Sequence, residues 1–334
     1  MNGSKPIVSV IIPAYNVERF LPEAIESLLS QTLQDWELII SDDCSTDRTF
    51  EIAMEYARRD SRIKVIRSAR QSGGPFIPRR DAMEVASSDL IAPFDADDKV
   101  DTDYLSVLVD TMQRNKADVI FPRLYRWDGE KEYHPIDVQA SAMERRLVGK
   151  EMVRLTLDGW KVHCGGGVIK KGLYRKCYDE LEGVDVIPFI DEYLSRLILI
   201  KAGSVFFTEV PYYYRSHPSS VTHSSYVKKL GYRINPRLIR LMEIYYGKDS
   251  EEYLLAQRQN FYGVFEAFRV MNRPDYPKHH YREDKEVIKE CMGAIDRDAI
   301  EGKVNRKYYL LSTLPYSLCK RCIKYIDRLL SLFK

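Results

Sequence analysis

The chain has 334 residues, 45% hydrophobic and 30% charged, with Lys+Arg 51 against Asp+Glu 49 and a net charge of +2. This size and apolar content suit two domains, or one domain with an appendage, and exclude disordered and fibrous classes. The near-neutral balance argues against a nucleic-acid partner, and no apolar run reaches the roughly 18 residues of a spanning helix. The opening MNGSKPIVSVIIPAYN has no charged segment followed by a long apolar stretch, so it is expected not to be a secretory signal. Six cysteines, at 44, 164, 177, 291, 319 and 322, fit free thiols in a reducing cytosol.

The first 125 residues alternate strand, loop and helix. Val8–Ile12 is a β-branched run ended by Pro13, the pattern of a strand buried on both faces of a parallel sheet. A helix follows, with Pro22 in its first turn and Ala24, Ile25, Leu28 and Leu29 on one face. Trp36–Ile40 reads as a second strand. Ser45-Thr46-Asp47 offers N-cap chemistry for a helix that turns Ile52, Ala53, Tyr56 and Ala57 inward. Further on come a strand at Ile63–Ile66, a helix at Arg79–Ala86, a strand at Leu90–Phe94, a helix at Asp103–Arg114 and a strand at Val119–Phe121. This alternation predicts an α/β, Rossmann-like domain with a mostly parallel central sheet and helices on both faces. From 126 to 225 the pattern is less regular, with a helix at Asp191–Lys201 and a strand at Ser204–Thr208. Beyond 226 it is nearly all helix. The expected organisation is a domain over 1–225, with halves 1–125 and 126–225, and a helical C-terminal region over 226–334.

Open parallel sheets bind ligands off the carboxyl ends of their strands. There the sequence places Pro13-Ala14-Tyr15-Asn16, then Asp42-Asp43-Cys44-Ser45-Thr46-Asp47, then Asp95-Ala96-Asp97-Asp98. Taken alone, Asp42-Asp43 could cap a helix, Asp95-Ala-Asp-Asp could be an acidic turn, and Tyr15 could be packing. On three successive strand ends they point to one site. The five carboxylates of Asp42, Asp43, Asp95, Asp97 and Asp98, without basic neighbours in sequence, repel one another, and a cation relieves the repulsion. Hard oxygen ligands beside phosphates suit Mg²⁺ or Mn²⁺.

Val8-Ser-Val-Ile-Ile-Pro-Ala-Tyr-Asn16, Ser30-Gln31-Thr32, Trp36-Glu-Leu-Ile-Ile-Ser-Asp-Asp-Cys-Ser-Thr-Asp47 and Phe94-Asp-Ala-Asp-Asp98 closely resemble the family 2 glycosyltransferases of GT-A fold. The resemblance is strong over 5–110 and weaker over about 150–225. It implies that Tyr15 stacks on the uracil of a UDP-sugar, with Pro13, Ala14 and Asn16 around it. Asp43 would accept from the uracil N3–H, with Asp42 beside it, and Arg79 would help hold the nucleotide. Asp95 and Asp97 match the DxD motif. Asp97 is expected on ribose or metal, and Asp98 is the leading metal ligand. Asp191 aligns with the family's base, the group that takes the acceptor proton. Ile190 stands where the family has Glu, which keeps Glu192 as the fallback. Arg215 and His217 could reach the diphosphate or the metal. His163, Gly165 and Gly166 lie where these enzymes build the acceptor pocket, and the glycines permit close backbone approach. Cys44 replaces a usual Gly.

The segment 303–334 holds eight basic residues and one acid, a net +7. Leu318, Cys322, Tyr325, Ile326, Leu329, Leu330 and Phe333 fall near one face at helical spacing, so a membrane-surface helix and a helix packed on the body are both open. Cys319-Lys-Arg-Cys322 lacks a second cysteine pair for zinc and reads as two idle thiols. The expectation is a metal-dependent inverting glycosyltransferase, cytoplasmic or peripheral on the inner membrane face, with a glycan or lipid-linked glycan acceptor in surface-polysaccharide assembly. The competing reading is a catalytically inactive scaffold of the same fold. A nucleotidyltransferase or a dehydrogenase would need a glycine-rich loop after the first strand, where Pro-Ala-Tyr-Asn stands.

Overall fold

The computed structural model describes residues 5–127, 133–135, 146–157, 165–181, 190–217 and 231–331. Backbone contacts divide the chain into two compact units, Met1–Val186 with Leu194–His217, and Ile187–Tyr193 with Pro218–Lys334.

The first unit is built on a nine-stranded sheet. Its strands are β1 (Val8–Ala14), β2 (Trp36–Asp42), β3 (Ile63–Arg67), β4 (Leu90–Pro93), β5 (Lys99–Val100), β6 (Val119–Trp127), β7 (Tyr133–Pro135), β8 (Val168–Lys170) and β9 (Val205–Arg215). Among the described residues it carries the helices α1 (Leu21–Leu29), α2 (Thr49–Arg59), α3 (Phe76–Val85), α4 (Tyr104–Asn115), α5 (Gly149–Leu157) and α6 (Lys171–Glu180), and α7 (Ile190–Lys201) begins in the second unit and continues in the first. The spatial order is β3-β2-β1-β4-β8-β6-β9-β5, with β7 alongside β6.

From β3 to β4 every pairing is parallel. Beyond β4 the sheet is mixed. β8 runs antiparallel to β4 and β6, β9 parallel to β6, and β5 antiparallel to β9. The α/β expectation therefore holds in full for the first half, while the second half turns the parallel sheet into a mixed one. β1 and β2 are buried almost throughout, which is why their sequences are apolar on both faces. α1 and α4 lay Leu21, Ala24, Ile25 and Leu28, and Tyr104, Leu105, Leu108, Val109 and Met112, against one continuous core.

The register aligns the strand ends. Ala14 of β1 sits opposite Asp42 of β2, and Asp42 opposite Arg67 of β3. β4 stops at Pro93, and the Phe94 N–H still bonds the Ile11 carbonyl at 3.0 Å, so the chain leaves the sheet at Asp95. β6 and β9 are far longer than the short apolar runs that announce them. Their pairing shifts register between Phe121 and Arg123, at Pro122, which has no N–H to give a ladder. Past that irregularity β9 carries Tyr212, Tyr213, Tyr214 and Arg215 along β6.

The second unit is helical: α8 (Asn235–Tyr246), α9 (Glu251–Met271), α10 (Tyr281–Gly293), α11 (Arg297–Ile300), α12 (Arg306–Ser312) and α13 (Tyr316–Ser331). Its core gathers on α9, where Phe261, Val264, Phe265 and Phe268 meet Val287, Ile288 and Cys291 of α10 and Cys319 and Ile323 of α13. The Ser250 hydroxyl caps α9 by accepting the Tyr253 N–H at 3.1 Å.

Candidate functional site

The loops after β1 and β2 are stitched together by Asn16. It adopts a left-handed backbone, φ 51°, which Asn tolerates better than most residues. Its side-chain oxygen accepts the N–H groups of Thr46 at 2.8 Å and Asp47 at 3.4 Å, and its own N–H donates to Ser45 Oγ at 3.1 Å. Asn16, expected beside the nucleotide, thus works inside the protein by fixing the loop that presents its neighbour. Tyr15 keeps 40% of its surface exposed, an aromatic face left open. Cys44 is also left-handed, φ 61°, and donates its Sγ–H to the Ser68 carbonyl. That backbone explains why glycine suits the position.

Asp42 and Asp43 are both buried. Asp42 Oδ2 pairs with Arg67 Nε at 3.0 Å and accepts the Ser45 N–H at 3.2 Å, while Oδ1 is buried with no partner. Asp43 takes the Ser72 N–H on both oxygens at 3.0 Å and the Ser72 hydroxyl at 2.8 Å. Ser72 was not legible as a site residue. It lies in a polar stretch whose only local signal is the following Gly73, at φ 85°.

The acidic turn after β4 separates its three carboxylates by role. Asp95 pairs with the Arg79 guanidinium, which reaches it from the buried face of α3. Asp98 is 1% exposed. Its Oδ2 accepts the Tyr212 hydroxyl at 2.6 Å and its Oδ1 the Arg215 N–H at 2.8 Å. Burial, and then the charges of Asp97 and Asp95, hold its carboxyl well above the usual range. Tyr212 is likewise raised well above the ordinary phenol value, by burial first and then by the charge of Asp98.

Asp98, expected as the leading metal ligand, is held in this arrangement by protein partners. Both of its oxygens face β9, so it anchors the turn from beneath. Asp97 is the carboxylate turned the other way, with Oδ2 3.0 Å from His217 Nε2. Burial and the Asp95 charge raise it too, against the opposing contact with His217. The His217 ring packs on Phe20 at 4.5 Å between centroids. The contact is a hydrogen bond within the protein, between a carboxylate oxygen and an imidazole nitrogen that could both turn to a divalent cation. Among the described residues no group of three His, Cys, Asp or Glu gathers to hold a metal unaided. Mg²⁺ is usually held by one or two carboxylates with substrate phosphate oxygens, and Asp97 is the carboxylate of this pair.

Arg215 is committed within the protein. Its Nε donates to the Asp97 carbonyl at 2.6 Å, its Nη2 pairs with Glu23, and its guanidinium lies 3.8 Å from the centroid of the Trp127 ring. Lys99 Nζ lies 3.6 Å from the same centroid. Arg215, expected to reach a diphosphate or metal, here holds the backbone of Asp97 from one side and the carboxylate of Asp98 from the other. Phe20 and Glu23, at the start of α1, and Trp127 of β6 join the site, and nothing local in the sequence marked them.

Gly165 and Gly166 are buried. A Cβ on Gly166 would stand 3.1 Å from the Tyr212 ring, and one on Gly167, at φ 105°, 2.4 Å from the Ile120 carbonyl oxygen. Gly166 and Gly167 thus permit close approach to β9 and β6. His163 lies outside the described residues. Asp191 and Glu192 occupy the first turn of α7, where the helix dipole favours negative charge. Asp191 is half-buried and Glu192 exposed.

A model of the glycosyl transferase family 2 matches residues 9–174. The uncharacterized glycosyltransferase EpsJ of Bacillus subtilis (strain 168) is 30% identical over 274 residues, 78% of this chain and 71% of that protein. The chain belongs to glycosyltransferase family 2. It is therefore an enzyme of the transferase class. Glycosyltransferase GlyG of Streptococcus pneumoniae is 27% identical over 225 residues, 66% of this chain and 74% of that protein. Among solved structures, Staphylococcus aureus TarS 1-349 in complex with UDP-GlcNAc superposes with a TM-score of 0.72 at 18% identity, covering 98% of this chain and 92% of that one. The shared architecture is the GT-A fold, with the helical C-terminal region attached.

Proposed function

We propose that this family 2 enzyme transfers a sugar from a UDP-sugar to a hydroxyl of a glycan or lipid-linked glycan, with inversion and with a divalent cation, in surface-polysaccharide assembly. The observation that carries the reading is the pairing of Asp97 with His217 at 3.0 Å, beside the Arg79–Asp95 contact, with Tyr15 keeping an open aromatic face after β1. TarS, by its printed description, binds UDP-GlcNAc, which supports a uridine donor.

In this reading Tyr15 stacks on the uracil. Asp43, with Ser72 already bonded to it, offers its remaining lone pairs to the base. Asp97 and His217 would hold Mn²⁺ or Mg²⁺, which when bound offsets the charge that develops on the departing diphosphate. Asp98, Tyr212 and Arg215 keep Asp97 in place, and Arg79 keeps Asp95. Asp191 accepts the proton of the acceptor hydroxyl as its oxygen attacks the anomeric carbon from the face opposite UDP, a single displacement that inverts the centre.

Thermal-shift melting against a panel of nucleotides and nucleotide sugars, each with and without Mn²⁺, tests this. A ligand that binds only the native state raises the melting point by mass action. The expected result is a shift with UDP that requires Mn²⁺ and disappears in Asp97→Ala. No shift with any uridine nucleotide overturns the donor assignment.

A further inference from the structure

We infer that the face of α13 bearing Leu318 and Tyr325 docks on an anionic lipid surface. This goes beyond the donor-site reading and does not depend on it.

The apolar arc of α13 is wider than the part its own unit covers. At about 100° per residue, Cys319 and Ile323 mark one edge of that arc, and Leu318, Cys322 and Tyr325 the other. Cys319 and Ile323 are 0% and 1% exposed in the helical core, whereas Leu318 is 45% and Tyr325 66% exposed. A helix held only by its body would be polar beyond the covered edge. Here the uncovered edge is an aliphatic and an aromatic side chain two turns apart, in line with half-buried Cys322.

Among the described side chains of α13, the charges next to this edge are basic. Arg321 and Lys324 are exposed on the flank of α13 that borders Tyr325 and Leu318. Lys320 is held back, its Nζ 4.1 Å from the centroid of the Tyr281 ring. In the same unit, α12 exposes Arg306 and Lys307, with Leu310 57% exposed. From 303 to 326 there is no acidic residue at all. An occupant must therefore accept apolar side-chain tips and supply diffuse negative charge with no fixed geometry. A bilayer containing anionic headgroups does both, and shallow insertion combined with basic charge gives the two signals that reversible binding needs.

The test is sedimentation of the full chain with vesicles of phosphatidylcholine alone and of phosphatidylcholine mixed with phosphatidylglycerol, at low and high salt. The expected result is binding to the anionic vesicles only, weakened by salt. Leu318→Ser with Tyr325→Ser changes exposed positions and is expected to abolish binding with the melting temperature kept. Arg321→Gln with Lys324→Gln is expected to weaken binding about 30-fold, from about fivefold per charge. Lys289→Gln, a basic residue exposed on α10, is expected to leave it unchanged. Binding to neutral vesicles, no binding to anionic ones, or unaltered binding in both double variants overturns the proposal. So does a concentration-dependent dimer in lipid-free light scattering that Leu318→Ser with Tyr325→Ser dissolves, because the occupant is then a second copy. The UDP-dependent melting shift, read on the same samples, stands or falls separately.

Discussion

Replacing Tyr212 with Phe removes one hydroxyl from the centre of the acidic turn and leaves the ring. That hydroxyl donates to Asp98 Oδ2 at 2.6 Å and accepts the Asp95 N–H at 3.3 Å. Both partners are then short of a contact, and Asp98 is 1% exposed, so water does not readily replace it. A hydrogen bond to a charged group contributes about 1.5–3 kcal/mol, so Tyr212→Phe is expected to destabilise the fold by about 2–3 kcal/mol. At roughly 2–4 °C per kcal/mol this is a fall in melting temperature of about 4–12 °C.

The loss also depends on pH. The Tyr212 bond lowers the Asp98 carboxyl against the burial that raises it. Without the bond, Asp98 holds its proton to higher pH, so the variant is protonated where the parent is already ionised. The stability gap is therefore small in acid and widens as pH rises through the two folded-state values. Melts followed by circular dichroism across pH, with the Mn²⁺ dependence of UDP binding measured in parallel, read both effects. An unchanged melting temperature, or a gap that narrows as pH rises, refutes the account of Asp98 as the buried anchor of the turn.

Four further outcomes follow from the same geometry. Glu37 is held down at about 2, because hydrogen bonds from Lys64, Ser87 and Ser9 outweigh the burial that alone would raise it. Its folded value lies below the ordinary 4.5, so its contribution, roughly 3 kcal/mol, is present above 4.5 and lost as pH falls towards 2; acid melts of Glu37→Gln are expected to be flatter across that window. Gly167→Ala meets both a positive φ and the Ile120 carbonyl, and is expected to cost more than about 1 kcal/mol in urea unfolding. Arg215→Lys keeps the charge but loses the fork that reaches Glu23 and the Asp97 carbonyl, and is expected to raise the Mn²⁺ concentration for half-maximal activity about tenfold, for a loss near 1.4 kcal/mol. Asp191→Asn is expected to lower turnover by about 10²–10⁴ while calorimetric UDP affinity stays unchanged, as fits a group that acts only on the acceptor.

The nucleotide-binding half of the sheet was legible because its physics is local. β1 and β2 are buried on both faces, so they read as unbroken apolar runs, and α1 and α4 carry their stripes at helical spacing. β5, with two residues, and β8, with three, are too short for any period to show. β6 and β9 were read at less than half their observed lengths, since Pro122, Arg123 and Arg126 interrupt β6, and Tyr213 and Arg215 look like loop chemistry until they are paired. The carboxylates at the strand ends were visible as types and positions. Which of Asp97 and Asp98 turns inward was not, because Tyr212 decides it from 114 residues away. The same holds for Ser72 on Asp43 and for Glu23 and Trp127 around Arg215. On α13 the sequence placed Tyr325 and Leu318 on one apolar stripe, but only packing shows that the core takes the neighbouring edge, Cys319 and Ile323.

The most direct measurement is Mn²⁺ titration of the UDP-saturated protein, with free Mn²⁺ followed by electron paramagnetic resonance. The account predicts one bound ion in the parent, weakened at least tenfold in both Asp97→Asn and His217→Ala and still bound in Asp98→Asn once that variant is shown to be folded. Undiminished Mn²⁺ binding in Asp97→Asn and His217→Ala, or its loss only in Asp98→Asn, contradicts the assignment of the site.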